Sequence, residues 1–162
     1  STKKADAASY KAYLCLQTAK FTFRNQHDDA KFSNKLQNTT NKLSKNSAKF
    51  KDTTMKKGKK TYTVQLTGLN KCIAKDKTFN TLYVDTNIKG KDKKKVTVTN
   101  VNVFFDGKKV KTIKKGVLTP DPGQTDGFVQ LQIINMWNSR VAKFKYTMPK
   151  KTIKVTYTVK IK

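Results

Sequence analysis

Hydrophobic and polar residues alternate along most of this chain, in short runs broken by turn residues. The cleanest run closes it: in TIKVTYTVKI, Ile153, Val155, Tyr157, Val159 and Ile161 share one face while Lys and Thr take the other. A period of two is the signature of a strand with one buried face. Thr61 to Gly68 repeats it with Tyr62, Val64 and Leu66. Tyr10 to Thr18 alternates more loosely, and Lys20 to Arg24 resumes after a break. Phe79 to Ile88 reads as another strand, and so does Lys143 to Met148. Val96 to Phe105 carries Val96, Val98, Val101 and Val103, so its period slips near Asn100. Asp106-Gly107 then signals a hairpin turn into Lys109 to Ile113. Phe128 to Trp137 alternates at first and becomes continuously apolar, as a central strand does.

Two segments break the pattern. Ala30 to Asn46 (AKFSNKLQNTTNKLSKN) meets helical spacing only through Phe32, Leu36 and Leu43, and is read as an ordered loop over the body of the fold. Thr119 to Gly127 (TPDPGQTDG) is a loop rich in Pro and Gly. About nine strands with turns between them and no long helix predict an all-β fold, an antiparallel β-sandwich of jelly-roll type. The final strand is expected to lie near the first. That would bring both ends of the chain to one region, as suits a module threaded into a longer polypeptide. No internal repeat or linker divides the 162 residues, so 1–162 is read as one module. Ser1 in place of Met fits excision from a larger multidomain protein.

Charge changes the picture less than its size suggests. The chain holds 34 Lys, 2 Arg, 10 Asp and no Glu, for a formal net charge of +26. Recognition of bases and phosphates leans on the planar fork of Arg, and Arg24 and Arg140 are far apart in sequence. The Lys are spread over the whole length in short runs such as Lys93-Lys94-Lys95, which reads as a solvated coat. Such a coat attracts polyanions at low salt. A Lys-rich adhesion or structural module resting on anionic wall polymers is therefore the alternative functional reading; nucleic acid is disfavoured for want of a module signature. No apolar stretch approaches the ~20 residues of a membrane-spanning helix. Cys15 and Cys72 match no metal spacing; two buried thiols, or a disulfide between strands, both fit.

Catalytic chemistry finds little support. His27 is the sole histidine, and no nucleotide-binding, zinc-protease or serine-hydrolase motif occurs. A carboxyl pair drawn from Asp28, Asp29, Asp85, Asp121 and Asp126 would sit among lysines that depress its pKa, which spoils a general acid. The reading is of a non-enzyme without a cofactor. Asp28-Asp29, or Asp121 with Asp126, could contribute to a structural calcium site, but solvated loop carboxylates that neutralise Lys are the favoured reading.

Sugar binding asks for flat aromatic faces beside planar amides or guanidinium groups. Two segments offer that mixture. One runs from Gln17 through Phe21 and Phe23 into Arg24, Asn25, Gln26 and His27; the other, VQLQIINMWN, ends at the only Trp. Trp137 and Tyr13 are the stacking candidates, and Gln17, Arg24, His27, Gln130 and Gln132 the hydrogen-bonding candidates. The segments AYLCLQTAKFTFRNQHDD, KKGKKTYTVQLTGL, FNTLYVDTNI, VTVTNVNVFFDGKKV, VQLQIINMWN and MPKKTIKVTYTVKI all lie between Tyr10 and Ile161. This combination resembles β-sandwich carbohydrate-binding modules attached to secreted or wall-anchored glycoside hydrolases of Gram-positive gut bacteria. The resemblance implies an extracellular, non-catalytic binder of a polysaccharide or oligosaccharide, with a catalytic domain in the same polypeptide.

Overall fold

The computed structural model describes residues 9–18, 22–23, 49–71, 79–120, 127–138, 141 and 147–162. The loop expected at Ala30 to Asn46, most of the strand expected at Lys143 to Met148, and Cys72 lie outside these residues. Among the described residues the chain forms eleven strands in two antiparallel sheets. They are β1 (Ser9–Gln17), β2 (Thr22–Phe23), β3 (Lys49–Lys51), β4 (Thr53–Lys56), β5 (Gly58–Thr67), β6 (Thr81–Lys89), β7 (Val96–Phe105), β8 (Lys108–Lys115), β9 (Val117–Thr119), β10 (Phe128–Asn135) and β11 (Ile153–Ile161). The first sheet runs β2-β1-β6-β10-β9, with β4 also paired to β1; the second runs β3-β5-β11-β7-β8. The chain alternates between the sheets rather than completing one first, which is the winding of an antiparallel β-sandwich of jelly-roll type.

The alternation seen in the sequence sets which faces meet. Tyr62, Val64 and Leu66 of β5 and Ile153, Val155, Tyr157, Val159 and Ile161 of β11 turn inward. They pack against Leu14 and Leu16 of β1, Leu82 and Val84 of β6, and Leu131 and Ile133 of β10. Each such aliphatic side chain contributes about 1.5–3 kcal/mol through removal from water. Tyr157 is buried with this set, and its hydroxyl donates to the Met55 sulfur at 3.3 Å, which satisfies it without opening the core. Burial, reinforced by nearby Tyr62, raises its pKa far above the usual phenol value. On the opposite face of the second sheet the Thr and Lys of β5, β7 and β11 meet solvent, with Thr61 and Thr158 hydrogen-bonded across the strands at 2.9 Å.

The slip expected near Asn100 is a bulge. Thr156 pairs with Asn102 and Thr158 with Thr99, so two residues of β7 oppose one of β11, and Asn100 takes φ 50°. The bulge returns Val101 and Val103 to the core after Val98. β10 has a similar irregularity between Gln132 and Ile134, which lets Ile133 and Ile134 both face inward and explains the continuous apolar stretch. The sequence did not reveal the short strands β3, β4 and β9. Nor does the final strand lie beside the first: β11 pairs with β5 and β7 in the second sheet, while β1 belongs to the first. Strict alternation fits either sheet equally well, so period alone could not assign the partner.

The β7–β8 hairpin turns through Asp106 (φ 51°) and Gly107 (φ 84°), both in the left-handed region. The Asp106 carboxylate reaches beyond its own turn. It accepts backbone hydrogen bonds from Lys150 and Lys151 at 2.7 Å and from Thr152 at 3.0 Å, fixing the approach to β11. Slight desolvation acts to raise its pKa, but the three N–H donors and the Lys150 charge outweigh this and hold it below the usual carboxylate range. A depressed folded-state pKa contributes stability above the unfolded value, about 3.9, which is lost as pH falls through the folded one. Asp106→Ala is expected to lower stability by about 1–2 kcal/mol at neutral pH. Urea midpoints at pH 7 and at low pH check this: the gap to wild type should shrink as pH drops, and a constant gap would remove the carboxylate from the account.

Candidate functional site

The outer face of the first sheet carries the polar side chains that the sequence assigned to ligand contact. Register aligns them in rows: Tyr13, Asp85, Gln130 and Thr119 in one, and Cys15, Tyr83, Gln132 and Val117 in the next. Gln17, Thr81 and Asn135 form a third row at the end of the sheet. This face is not open to solvent. Tyr13 is 1% exposed, Gln130 0% and Gln132 2%, and Cys15, Thr81, Tyr83, Asp85 and Asn135 are buried with them. Tyr13, Cys15 and Tyr83 make a small cluster of their own, apart from the main core. Cys15 is a buried thiol there. Burial first, and then the adjoining Cys15 and Asp85, push the Tyr83 hydroxyl well above its ordinary pKa. The same burial corrects the sequence reading of Tyr13, Gln130 and Gln132: a ring or amide sealed inside the protein cannot lie against a saccharide.

The buried amides act on the surface indirectly. Gln132 Nε2 donates to Gln130 Oε1 at 3.4 Å, and Asn138 Nδ2 donates to Gln132 Oε1 at 2.8 Å. This chain runs from the polar layer to the turn that follows β10. Asn135 Oδ1 accepts from the backbone N–H of Trp137 at 3.0 Å, and the N–H groups of Met136 and Asn138 bond to the carbonyls of Asn80 and Asn135. The backbone at Met136-Trp137 is thus held by four hydrogen bonds around it, while its side chains project outward. Trp137 is 65% exposed and Met136 48%. An indole so placed gives up most of the free energy its burial would supply, and a fixed turn keeps it there.

Gln17 is half-buried and lies at this same end of the sheet, where its carbonyl accepts from the N–H of Asn80 at 2.8 Å. Asn80 in turn accepts from Met136, so the end of β1 and the Trp137 turn are tied through one residue. Trp137 and Gln17 are therefore the sequence candidates that the fold leaves near a common surface. Arg24 and His27 lie outside the described residues, as do Asp28, Asp29, Asp121 and Asp126. Among the described residues no three His, Cys, Asp or Glu side chains gather as metal ligands, and no helix is long and apolar enough to cross a membrane. Met136 and Asn138 were missed by the sequence reading, although IINMWN sets both beside the Trp. Comparison of the chain with protein-family models, curated proteins and solved structures finds no match.

Gln130 and Gln132 separate in their expected contributions. Gln130 Nε2 is buried without a hydrogen-bond partner, so Gln130→Met relieves one unsatisfied group while releasing Gln132 Nε2 from a long 3.4 Å bond, and the net cost is expected to be below about 1 kcal/mol. Gln132→Leu removes both the 2.8 Å bond from Asn138 Nδ2 and the bond to Gln130 Oε1, and should cost about 1–3 kcal/mol. Urea unfolding measures both, and the fluorescence anisotropy of the single Trp reports whether the turn has loosened. Equal costs, with anisotropy unchanged, would mean that the amide chain does not hold the turn.

Proposed function

We propose that this domain is a non-catalytic carbohydrate-binding module. It holds a polysaccharide against the indole of Trp137 and so keeps a glycoside hydrolase in the same polypeptide, outside the cell, close to its substrate. The observation that carries this reading is the 65% exposure of a Trp whose backbone is hydrogen-bonded in place. The C–H face of a pyranose leaves water against such a ring, and planar amides orient its hydroxyls. Gln17 and Asn138 are two of the amides within the described part of this end, and Arg24 and His27 remain candidates from the sequence. The side chains need only pack and hydrogen-bond, so the reading calls for no cofactor. Tethering then raises the effective concentration of the substrate around the attached enzyme.

Affinity electrophoresis in gels containing starch, β-glucan, mannan or xylan tests the reading. Retardation by one of these is expected, persisting at moderate salt because the sugar is uncharged. Trp137→Ala should weaken it at least about tenfold, equivalent to ~1.4 kcal/mol. Melting temperature should barely change, since the indole supports little of the core. A folded protein that no neutral glycan retards, or whose retardation survives Trp137→Ala, overturns the proposal. Retention only on anionic polymers at low salt would transfer the function to the lysine coat.

A further inference from the structure

A second feature lies at the other end of the sandwich. β6 runs from Thr81, beside the Trp137 turn, to Lys89; at ~3.3 Å per residue these ends are about 26 Å apart. After Lys89 the chain makes a 3₁₀ turn, Gly90–Lys95, before entering β7. A cleft of about 440 Å³ opens there, within the size range of small-ligand sites. Lys91, Lys93 and Lys94 line it from the turn and Lys115 from the end of β8. Val98 and Leu118, only 4% and 7% exposed, close its floor.

The walls are fixed by backbone. Gly90 donates to the Gly127 carbonyl and Gly116 to the Val98 carbonyl, each at 2.9 Å. Gly116 carries the chain from the second sheet to the first, and a Cβ on it would come within 2.8 Å of Leu131 Cδ1 and Val98 Cγ1. The close approach that shapes the cleft therefore requires glycine.

The charge here differs from the diffuse coat. Among the described residues no carboxylate lines the cleft, and Asp92, the one acid of the turn, is engaged by Lys95 at 3.5 Å. Among the described residues none of the four lining lysines has an ion pair. Four ammonium groups around a concave, partly apolar surface concentrate positive potential that a flat surface would disperse. A free phosphate would leave the apolar lining unused. A nucleic acid strand favours aromatic or Arg stacking surfaces, and among the described residues the cleft lining has neither. A sugar ring bearing an acidic group matches both parts.

We infer that this cleft is a separate binding site for an acidic saccharide unit. Its carboxylate or sulfate is held among Lys91, Lys93, Lys94 and Lys115, and the C–H face of its ring meets the apolar part of the lining, to which the lysine methylene stems contribute. The site is independent of the Trp137 surface, and either can fail without the other.

The test is a titration of the ¹⁵N-labelled full chain with hexagalacturonate, and with a sulfated hexasaccharide, followed by amide shifts at moderate salt. Shifts are expected to concentrate at Gly90 to Val98 and Lys115 to Leu118 for at least one of the two probes. The triple variant Lys91→Gln, Lys93→Gln, Lys94→Gln should weaken binding at least about tenfold. A charge-matched control, Lys49→Gln, Lys108→Gln, Lys109→Gln, removes exposed lysines at the opposite end and should weaken it less than about threefold. Trp137→Ala should leave binding unchanged. Equal losses in the two triple variants, or shifts scattered over the surface, overturn the site in favour of diffuse attraction. Tighter binding of a thymidine decamer in the cleft overturns the saccharide assignment.

Discussion

The structure depends on keeping one set of alternate side chains between two sheets. An unbroken register joins β11 to β5, from Ile153 opposite Leu66 to Ile161 opposite Gly58. A slip of one residue would exchange Val155, Tyr157 and Val159 for Lys154, Thr156 and Thr158 in the core, burying an ammonium group and two hydroxyls. That penalty is what makes a chain with 36% hydrophobic residues and a charge of +26 specify a single pairing. The bulges at Asn100 and at Ile133 serve the same end: each absorbs an extra residue so that the side chains beyond it regain the buried face.

This constraint also explains what the sequence disclosed and what it hid. Strands whose two faces meet different media, such as β5 and β11, are legible because their alternation is complete. The hairpin at Asp106-Gly107 is legible because few residues accept a left-handed backbone. β3, β4 and β9 are short segments at sheet edges, where period two has too few residues to register. Strand order was hidden as well, since a half-apolar strand fits either sheet.

The site was only partly legible for a related reason. Gln130 and Gln132 alternate with apolar residues, which is the pattern expected of side chains facing water. In the structure the polar face of β10 is as buried as its apolar face. Alternation reports that two faces differ; it does not report that the polar one is wet. Trp137 stands outside any period, and nothing in its neighbours determines whether such a ring is interior or exposed. The fold decides this by tying the turn through Asn135, Asn138 and Asn80. The cleft lysines had no distinguishing mark among 34, because concavity is a property of the backbone path at Gly90 and Gly116.

The buried polar layer has a further consequence, for motion. β6 is flanked by β1 and β10 and covered on both faces over nearly all its length. Its amides reach solvent only if the surrounding sheet parts, so local opening there approaches the free energy of global unfolding. The turn bearing Trp137 lies at the margin of that sheet, where hydrogen bonds hold its backbone and the side chains of Met136 and Trp137 stand clear. The molecule thus ties its slowest-breathing strand, through the neighbouring Asn80, to a turn whose backbone it also steadies, leaving the freedom at that tip to the rotamers of Met136 and Trp137.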